Sequence, residues 1–548
     1  MKLSYRYLLV TTAFLFTGFL TSDSDIYFKI NKSIELFGRV YRETAINYVD
    51  NINPETFMEE GIKGMLSSLD PYTVYLDQTH QNDIDLITKG KYGGIGATVG
   101  LRNDFVIIVD LLEGYSAQRQ GMRIGDVIYE IDGIKITKEN YAKLGTLMKG
   151  EPGSTLTMII QREGAKSNLI FNLVREEIEV KNVSFSGFIP ESSNNAYIKL
   201  SGFSRAAGEE VKDALIQMGK TKPVESIVLD LRGNPGGLLD AAIDVCEKFL
   251  KKNQLVVSVV GRDSNAVRRY YSEEEPVAKD TRLALLIDGY SASAAEIVAG
   301  AIQDHDRGII VGDKSFGKGL VQTIIPMPYN SSLKITTAKY YTPSGRCIQE
   351  VDYSENSDIL EVGSEDKNKE FYTDQERVVY SNGGIIPDST VSGESESELV
   401  NQLVAYGMFF KYATNLLSDE ENHALNLQSK DDLFVGFRKY LEDQKFEFNF
   451  EIDKIFERLE TTIATRKYNS NIPEKVAELK LQFESEKVKE LDLYRNEITK
   501  EINLELINRK EGRIGRIRSS LEGDIQFETA LKILSMKEKY NRVLNKLD

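Results

Sequence analysis

The stretch LALLIDGYSASAAEIVAG (283–300) limits the possible folds more than any other segment of this chain. A short apolar run is followed by a turn of glycine, serine and alanine, and then by a helix-like sequence. This order predicts a buried strand, a tight turn and the first turn of a helix. Ser291 and Ser293 then lie where a hydroxyl either caps the helix or acts as a nucleophile near unpaired N–H groups. The stretch alone leaves both roles open.

Strands and helices alternate over residues 176–390. NAYIKLSGF (195–203) and ESIVLDLRG (225–233) have the composition of strands, and helical stretches follow them at 205–218 and 238–250. LALLIDG and GIIVGDKS flank the helix that follows Ser293. Alternation of this kind predicts an α/β layer architecture.

A chain of 548 residues is too long for one hydrophobic core. We expect a multidomain α+β protein whose parts differ in composition. The predicted parts are a signal peptide or N-terminal anchor (1–22), an N-terminal helical region (23–84), a small β-rich domain (85–170), an α/β core (171–394) and a helical C-terminal domain (395–548).

The first residues predict export. Lys2 and Arg6 precede an apolar stretch at 7–20, which is short for a membrane span and typical of a signal-peptide core. Bulky residues at the expected cleavage site leave an uncleaved membrane anchor as an alternative. We therefore expect a protein of the periplasm or cell envelope.

The composition excludes several functional classes. The net charge is −16 and no strong basic tract occurs, so nucleic acid is not an expected partner. Only Cys246 and Cys347 occur, and each is typical of a small apolar core residue, although one disulfide stays open. No CxxC or HExxH motif is found. We expect no metal and no cofactor.

A serine nucleophile needs a base, and lysine is the candidate here. His305 lies 12 residues beyond Ser293 on the same predicted helix, which is about 18 Å away. Lys314 and Lys318 follow in VGDKSFGKGLVQT, and a dry site can lower a lysine pKa toward neutrality. Gln322, four residues later, is placed to orient an amine. The residues alone make this a weak hypothesis that does not choose between the lysines.

The combined motifs are more specific than any one of them. SASAAEIVAGAIQDHDRGIIVGDKSFGKGLVQ (291–322), with KYYTPSGRCIQ and GGIIPD after it, resembles the carboxyl-terminal processing peptidases, also called tail-specific proteases. The resemblance covers roughly residues 30–390. It implies a protease core of the ClpP/crotonase-like spiral type, with a serine nucleophile and a lysine base 25 residues later. Ser293 and Lys318 have that spacing, Gln322 completes the set, and Ser291 becomes the expected helix cap.

An oxyanion hole is expected from two backbone N–H groups. One is that of Ala294, the residue after the nucleophile. The resemblance places the other in DLRGNPGGLL (230–239), at Gly236 or Gly237. Asp230 and Arg232 in the same segment are expected to brace the site rather than to react.

The glycine-rich stretch KYGGIGATVGL (91–101) resembles the carboxylate-binding loop of PDZ domains, as does AQRQGMRIGDVIYEIDG that follows. The resemblance implies that Gly93, Gly94, Ile95 and Gly96 bind a substrate tail while the peptide adds to a sheet edge. The expected partners are proteins with exposed, apolar C-termini.

Two alternatives stay open. One is an exported PDZ scaffold with an inactive core, and the other is a different acyl-transfer or crotonase-like enzyme. The helices after 395 lie outside the resemblance, and the apolar residues at helical spacing over 473–508 predict one long helix there. This region predicts a structural role, as a homodimer interface or an adaptor-binding surface.

Overall fold

The computed structural model describes residues 21–77, 86, 88–102, 105–162, 165–263, 266–351, 353, 369–381, 383–393, 397–418, 429–446, 448, 450–466 and 471–545. The predicted signal peptide or anchor lies outside this part of the chain, apart from residues 21 and 22. The chain forms two compact units. The first comprises Met1–Leu76, Gln322–Thr336 and Tyr353–Gly363, and the second comprises the remaining residues.

The first unit contains the N-terminal helices. Helix α1 spans Thr21–Asn47, helix α2 spans Pro54–Leu66, and strand β1 spans Val74–Leu76. Asn53 caps the start of α2, because its side chain accepts hydrogen bonds from the N–H groups of the second and third following residues. Strand β1 pairs antiparallel with residues 332–334, which belong to the same unit.

The second unit begins with a small β domain. Its elements are β2 (Lys91–Gly94), β3 (Ala97–Arg102), β4 (Phe105–Leu111), α3 (Ser116–Arg119), β5 (Val127–Ile131), β6 (Ile134–Lys135), a 3₁₀ turn (Lys138–Lys143), α4 (Leu144–Met148), β7 (Thr155–Gln161), β8 (Leu169–Val174) and β9 (Glu176–Glu179). Strands β3, β4, β5, β7 and β8 form an antiparallel sheet, and β2 pairs with β9. Ile108, Ile131, Met158 and Leu173 are fully buried in its core.

The α/β core follows. Its elements are β10 (Val183–Phe188), β11 (Asn195–Leu200), α5 (Ala207–Thr221), β12 (Ser226–Asp230), α6 (Leu239–Glu247), β13 (Leu255–Gly261), β14 (Val267–Tyr271), β15 (Arg282–Ile287), α7 (Ala294–Asp304), β16 (Ile309–Gly312), β17 (Leu320–Met327), β18 (Ser331–Tyr341), β19 (Glu370–Tyr372), β20 (Val378–Tyr380) and β21 (Ser389–Thr390). Residues 322–336 of β17 and β18 belong to the first unit. The main sheet has the order β10-β11-β12-β15-β16-β21. All its pairs are parallel except β10 with β11.

Helices make up the described chain after residue 397. They are α8 (Glu398–Ala405), α9 (Met408–Ser418), α10 (Lys430–Asp443), α11 (Glu451–Arg466), α12 (Asn471–Leu493), α13 (Arg495–Ser520), α14 (Ile525–Ser535) and α15 (Lys537–Val543). The sequence predicts one long helix over 473–508, but the structure breaks it at Tyr494, whose φ and ψ of −97° and 21° are not helical. The second piece, α13, packs against α9 and α10 of its own chain.

The two faces of the main sheet are covered by different parts of the chain. Successive strand residues point to opposite faces. Ile227 and Leu229 of β12 pack with α5, α6 and α7 in one core, whereas Val228 packs with Phe527 and Leu534 of α14 in another. The last two helices of the C-terminal region are therefore one layer of the α/β core.

Two further features concern the whole chain. Cys246 and Cys347 are both described, both are buried, and neither belongs to a disulfide, as their interpretation as core residues predicts. Among the described residues, no helix is long and apolar enough to cross a membrane.

Candidate active site

Ser293 occupies a strained position at the end of the turn that follows β15. It is the residue before α7, and its φ of 55° and ψ of −113° are unusual for a residue with a side chain. The first N–H groups of a helix lack partners within it. The turn therefore places the Ser293 hydroxyl at the start of α7, with the Ala294 N–H as its chain neighbour.

Ser291 does not cap α7, so that part of the sequence interpretation is wrong. Its hydroxyl lies 2.9 Å from the carbonyl of Leu231 and accepts a hydrogen bond from the N–H of Asp288 at 2.9 Å. The side chain is fully buried. Ser291 thus joins the nucleophile turn to the end of β12, and the N-cap position belongs to Ser293.

A buried carboxylate, Glu296, connects the candidate nucleophile with the candidate base. Its Oε2 accepts hydrogen bonds from the N–H groups of Ser293 (2.8 Å) and Lys318 (2.9 Å). Its Oε1 accepts from the Ser315 hydroxyl (2.6 Å) and the Gly317 N–H (2.7 Å). Burial raises the pKa of Glu296, and these donors act in the opposite direction. One carboxylate therefore fixes both backbone segments.

Tyr340 connects the same two segments from β18. Its hydroxyl lies within hydrogen-bonding distance of the carbonyls of Ser293 (3.1 Å) and Lys318. Its N–H donates to the carbonyl of Gly319 at 2.9 Å. Burial and then the nearby Glu296 carboxylate raise the pKa of the Tyr340 hydroxyl, so the hydroxyl stays a neutral donor.

The lysine loop, residues 313–319, lies against the nucleophile turn. Its Phe316 N–H donates to the Ser291 carbonyl at 3.0 Å. Gly319 has no room for a side chain, because a Cβ atom there would lie 2.8 Å from the Gln349 nitrogen. Lys314 and Lys318 are both partly buried, but the Lys314 side chain forms an ion pair with Glu350 at 3.1 Å. The backbone contacts thus place Lys318 with Ser293 and leave Lys314 in a surface pair.

The turn 233–237 forms the other side of the site. A Cβ atom on Gly236, whose φ is +94°, would lie 2.8 Å from the Ser293 Cβ and 2.9 Å from the Ala294 nitrogen. The turn is therefore in contact with the nucleophile. The Gly236 N–H already donates to the Asn234 side chain at 2.9 Å. Among the described residues, no partner is found for the N–H groups of Gly237 and Ala294, so these two groups are the candidate oxyanion-hole donors.

Asp230 and Arg232, which precede the turn 233–237 in the chain, form a buried network of charged side chains. Arg232 donates to Asp230 through Nε at 3.1 Å and Nη2 at 2.7 Å, and Tyr197 donates its hydroxyl at 2.7 Å. Burial alone would raise the pKa of Asp230, but the charges of Lys199 and Arg232 and the hydrogen bonds hold it well below its usual range. Both side chains support the turn.

Gln322 and His305 are the remaining sequence candidates. Gln322 belongs to the first unit, where its side-chain nitrogen is 3.4 Å from the Thr336 hydroxyl. His305 follows the last residue of α7, and its ring nitrogens contact Asp374 at 2.8 Å and the Leu255 carbonyl at 2.7 Å. Its side chain is 8% exposed, so His305 is a buried structural residue.

The predicted tail-binding residues lie together in the β domain. Gly93 and Gly94 end β2, Ile95 is buried, and Gly96 has a φ of +77°. The carbonyl of Gly93 accepts from Gly150, and that of Ile95 accepts from Ala117. The four residues are consecutive: the first two end β2, and the other two connect it to β3.

The parts of this chain match known protein families in order. Four models match: the activating protease CtpB N-terminal domain over residues 20–80, a PDZ domain over 107–162, peptidase family S41 over 194–356, and the C-terminal helical domain of probable PDZ-proteases over 399–534. The carboxy-terminal-processing protease of Bartonella bacilliformis is 38% identical over 321 residues, which are 58% of this chain and 73% of that protein. The chain belongs to this family of serine-type peptidases, peptidase family S41.

Other relatives of this S41 peptidase agree. The carboxy-terminal processing protease CtpB of Bacillus subtilis is 34% identical over 319 residues, covering 58% of this chain and 66% of that one. The solved photosystem II D1 C-terminal processing protease aligns over 64% of this chain and 85% of its own, at 24% identity and a TM-score of 0.36, which is too low to carry an argument. The predicted order of N-terminal helices, PDZ domain, protease core and helical C-terminal domain is confirmed.

Sequence reasoning missed two residues that organise the site of this S41 peptidase. Glu296 follows Ser293 at the spacing of a capping box, S-x-x-E, and this signal was available in the sequence. Tyr340 lies in KYYTPSGRCIQ, but nothing in that motif indicates that its hydroxyl reaches the carbonyls of both Ser293 and Lys318. Its role depends on the position of β18.

Proposed function

We propose that this S41 peptidase cleaves peptide bonds by a Ser/Lys acyl-enzyme mechanism, with Ser293 as the nucleophile and Lys318 as the general base. Lys318 accepts the proton of the Ser293 hydroxyl while the serine oxygen attacks the peptide carbonyl. The amine product leaves with a proton, and water hydrolyses the ester. The main support is the Glu296 carboxylate, which binds the N–H groups of both residues.

The oxyanion of the tetrahedral intermediate is assigned to the N–H groups of Ala294 and Gly237. Preorganised backbone donors stabilise such a charge because they need no reorientation during the reaction. The support is the close contact of the 233–237 turn with Ser293 and the start of α7. Gln322 is proposed, on its spacing from Lys318 alone, to orient the amine of that lysine.

The PDZ domain is proposed to select substrates by their C-termini. The loop 93–96 would bind the terminal carboxylate through backbone N–H groups while the tail adds as a strand. One solved relative, the PDZ domain of a carboxy-terminal protease from Vibrio cholerae, was crystallised with a peptide, at 25% identity over 16% of this chain and a TM-score of 0.16. We expect apolar, unstructured protein tails to be the substrates.

The proposed location is the periplasm or cell envelope. The proposal depends on the charged start and apolar stretch of residues 1–22. Fusion of residues 1–40 to a reporter that is active only after export tests it directly. Export of the fusion supports the proposal, and retention in the cytoplasm contradicts it.

The cleavage experiment uses the chain from residue 24 and an unfolded protein with an apolar C-terminus. Wild type should cleave it, Ser293→Ala and Lys318→Ala should each lose at least about 1,000-fold in kcat, and Lys314→Ala is the matched control that keeps activity. An amidated substrate tail should be cleaved more slowly. Cleavage that persists in both the serine and the lysine variant would contradict the mechanism.

A further inference from the structure

The first turn of α14, in the C-terminal helical region, contacts both loops of the proposed active site. Asp524 is the residue before this helix, and its Oδ1 accepts a hydrogen bond from the Phe527 N–H at 3.0 Å. Its Oδ2 accepts from Arg232 Nη1 at 2.7 Å. The side chains of Asp524 and Arg232 are only 15% and 17% exposed, so water weakens this ion pair little.

Gln526 extends the contact to the lysine loop. Its Oε1 accepts from the same Arg232 Nη1 at 3.0 Å, and its Nε2 donates to Asp313 Oδ2 at 2.9 Å and to the Val391 carbonyl at 2.8 Å. The amide is buried. In this orientation of the amide group, the oxygen faces the Arg232 guanidinium and the nitrogen faces the two acceptors; the flipped orientation would reverse both contacts. Gln526 therefore connects Arg232 with Asp313 in one fixed geometry.

Arg232 and Asp313, the two residues that α14 contacts, lie at the start of the two loops of the proposed active site. Arg232 precedes the turn 233–237, and its other donors are held by Asp230. Asp313 follows β16 and opens the loop that carries Lys318, with its N–H bound to the Ile287 carbonyl at 3.1 Å. A shift of either residue relative to the other changes the distance between the oxyanion turn and the lysine loop.

We propose that Asp524 and Gln526 are positioning residues that hold the oxyanion turn and the lysine loop in their reactive arrangement. The inference rests on the proposed Ser/Lys mechanism and extends it to the C-terminal helices, which lie outside the matched protease core. It implies that the C-terminal region contributes to the rate of the chemical step. Small displacements of reacting groups reduce rates strongly.

The packing of α14 makes this role separable from folding. Phe527, Ile533 and Leu534 are buried against Val228 and Leu286 of the sheet. These apolar contacts keep the helix on the sheet when a polar contact is removed. Loss of the Asp524 charge should therefore displace the two loops while the protein stays folded.

Asp524→Asn is the most informative substitution. Asparagine caps a helix as well as aspartate, so its oxygen still accepts from the Phe527 N–H, while its amide nitrogen, a donor, faces Arg232 in place of the second carboxylate oxygen. Gln526→Met removes the bridge to Asp313 at similar volume. We expect kcat for the unfolded, free-tail substrate to fall about 10- to 100-fold in each, with KM changed less than about twofold and Tm by less than about 4 °C.

The matched control is Asp453→Asn. Asp453 forms an ion pair with Lys487 within the same helical region, is 20% exposed, and accepts from the Phe450 N–H at 2.7 Å. It has no described contact with either catalytic loop, so its variant should keep wild-type kcat. Asp524→Glu, which restores the carboxylate, should recover part of the lost rate.

The outcomes separate this inference from the proposed mechanism. If wild type cleaves, Ser293→Ala does not, and both Asp524→Asn and Gln526→Met keep kcat within about twofold, the positioning role is wrong and the mechanism stands. If activity falls only in proportion to folded protein, or falls equally in Asp453→Asn, the role is structural and the proposal is overturned. If wild type cleaves nothing, the proposed mechanism fails and the positioning role fails with it.

Discussion

At the scale of single residues, Glu296 is the central feature of the site. Four donors, three of them backbone N–H groups, converge on its two carboxylate oxygens. A buried charge is costly unless hydrogen bonds compensate it. The protein therefore stabilises this carboxylate with groups whose own positions determine the geometry of Ser293 and Lys318.

Glu296→Gln should lower kcat at least tenfold and destabilise the protein by about 1–3 kcal/mol. The amide nitrogen must face either the N–H groups of Ser293 and Lys318 or the Gly317 N–H and the Ser315 hydroxyl, so at least one backbone N–H loses its acceptor. The measurement is steady-state kinetics together with urea unfolding. Glu247→Gln, at a buried glutamate of α6 that accepts a single backbone N–H, should keep full activity. Equal kinetics for Glu296→Gln and wild type would contradict this account.

Because of Asp230, the stability of the core should fall at low pH. Its folded pKa lies below its ordinary value of 3.8 because of Lys199 and Arg232. When folding lowers the pKa of a carboxyl group, the ionised group stabilises the folded protein. That stabilisation is complete above the pKa of the unfolded state and is lost as the pH falls through the pKa of the folded state. The Tm difference between wild type and Asp230→Asn should therefore be largest near pH 7 and shrink below about pH 4. A Tm difference that does not vary with pH would contradict the role given to Asp230, and so would the same pH dependence in Asp213→Asn, a control at an exposed aspartate.

At the scale of elements, the sequence predicts the strands and helices of the core well. The helices expected at 205–218 and 238–250 are found at Ala207–Thr221 and Leu239–Glu247. Local apolar patterns define such elements because each contacts one or two neighbours. The sequence did not predict the roles of Ser291 and Tyr340, since both bond to segments distant in the chain. The break of the long C-terminal helix at Tyr494 also has no local signal.

The turn 233–237 gives a prediction with an internal control. Gly236→Ala must place a methyl group 2.6 Å from the Ala292 carbonyl and close to Ser293, so the turn has to move and activity should fall at least about 100-fold. Gly233→Ala has a similar backbone conformation, with φ of +68°, but open space around the added carbon. It should cost about 1–2 kcal/mol of stability and keep most of the activity. Equal activity losses would show that backbone strain, not contact with the nucleophile, is responsible.

At the scale of the molecule, the C-terminal helices are part of the protease. The sequence predicts a helical region of its own after residue 395. Helices α8 to α13 fit this prediction, because their apolar side chains form their own cluster. Helices α14 and α15 instead cover one face of the main sheet. Periodicity in the sequence shows that these helices have an apolar side, but it does not identify the surface that the side contacts.

Deletion of residues 525–548 should prevent folding of the core. It removes five large buried apolar side chains from the sheet, Phe527, Ile533, Leu534, Tyr540 and Leu544, together with the small Ala530. At about 1.5–3 kcal/mol each, their loss approaches or exceeds the typical net stability of a domain, about 5–15 kcal/mol. We expect an aggregated product with no cooperative thermal transition, whereas deletion of 546–548 should leave Tm unchanged. A soluble, cooperatively folding 1–524 chain would contradict this layer assignment.

The central claim is that Ser293, and not its neighbour Ser291, forms the acyl-enzyme. The most direct measurement is to react the enzyme with a peptide ester that ends in an apolar tail, quench with acid within milliseconds to seconds, and locate the adduct by mass spectrometry. The account predicts a peptidyl ester on Ser293 that forms more slowly in Lys318→Ala, is absent in Ser293→Ala, and persists in Ser291→Ala. An adduct on Ser291, or one that survives in Ser293→Ala, would contradict it.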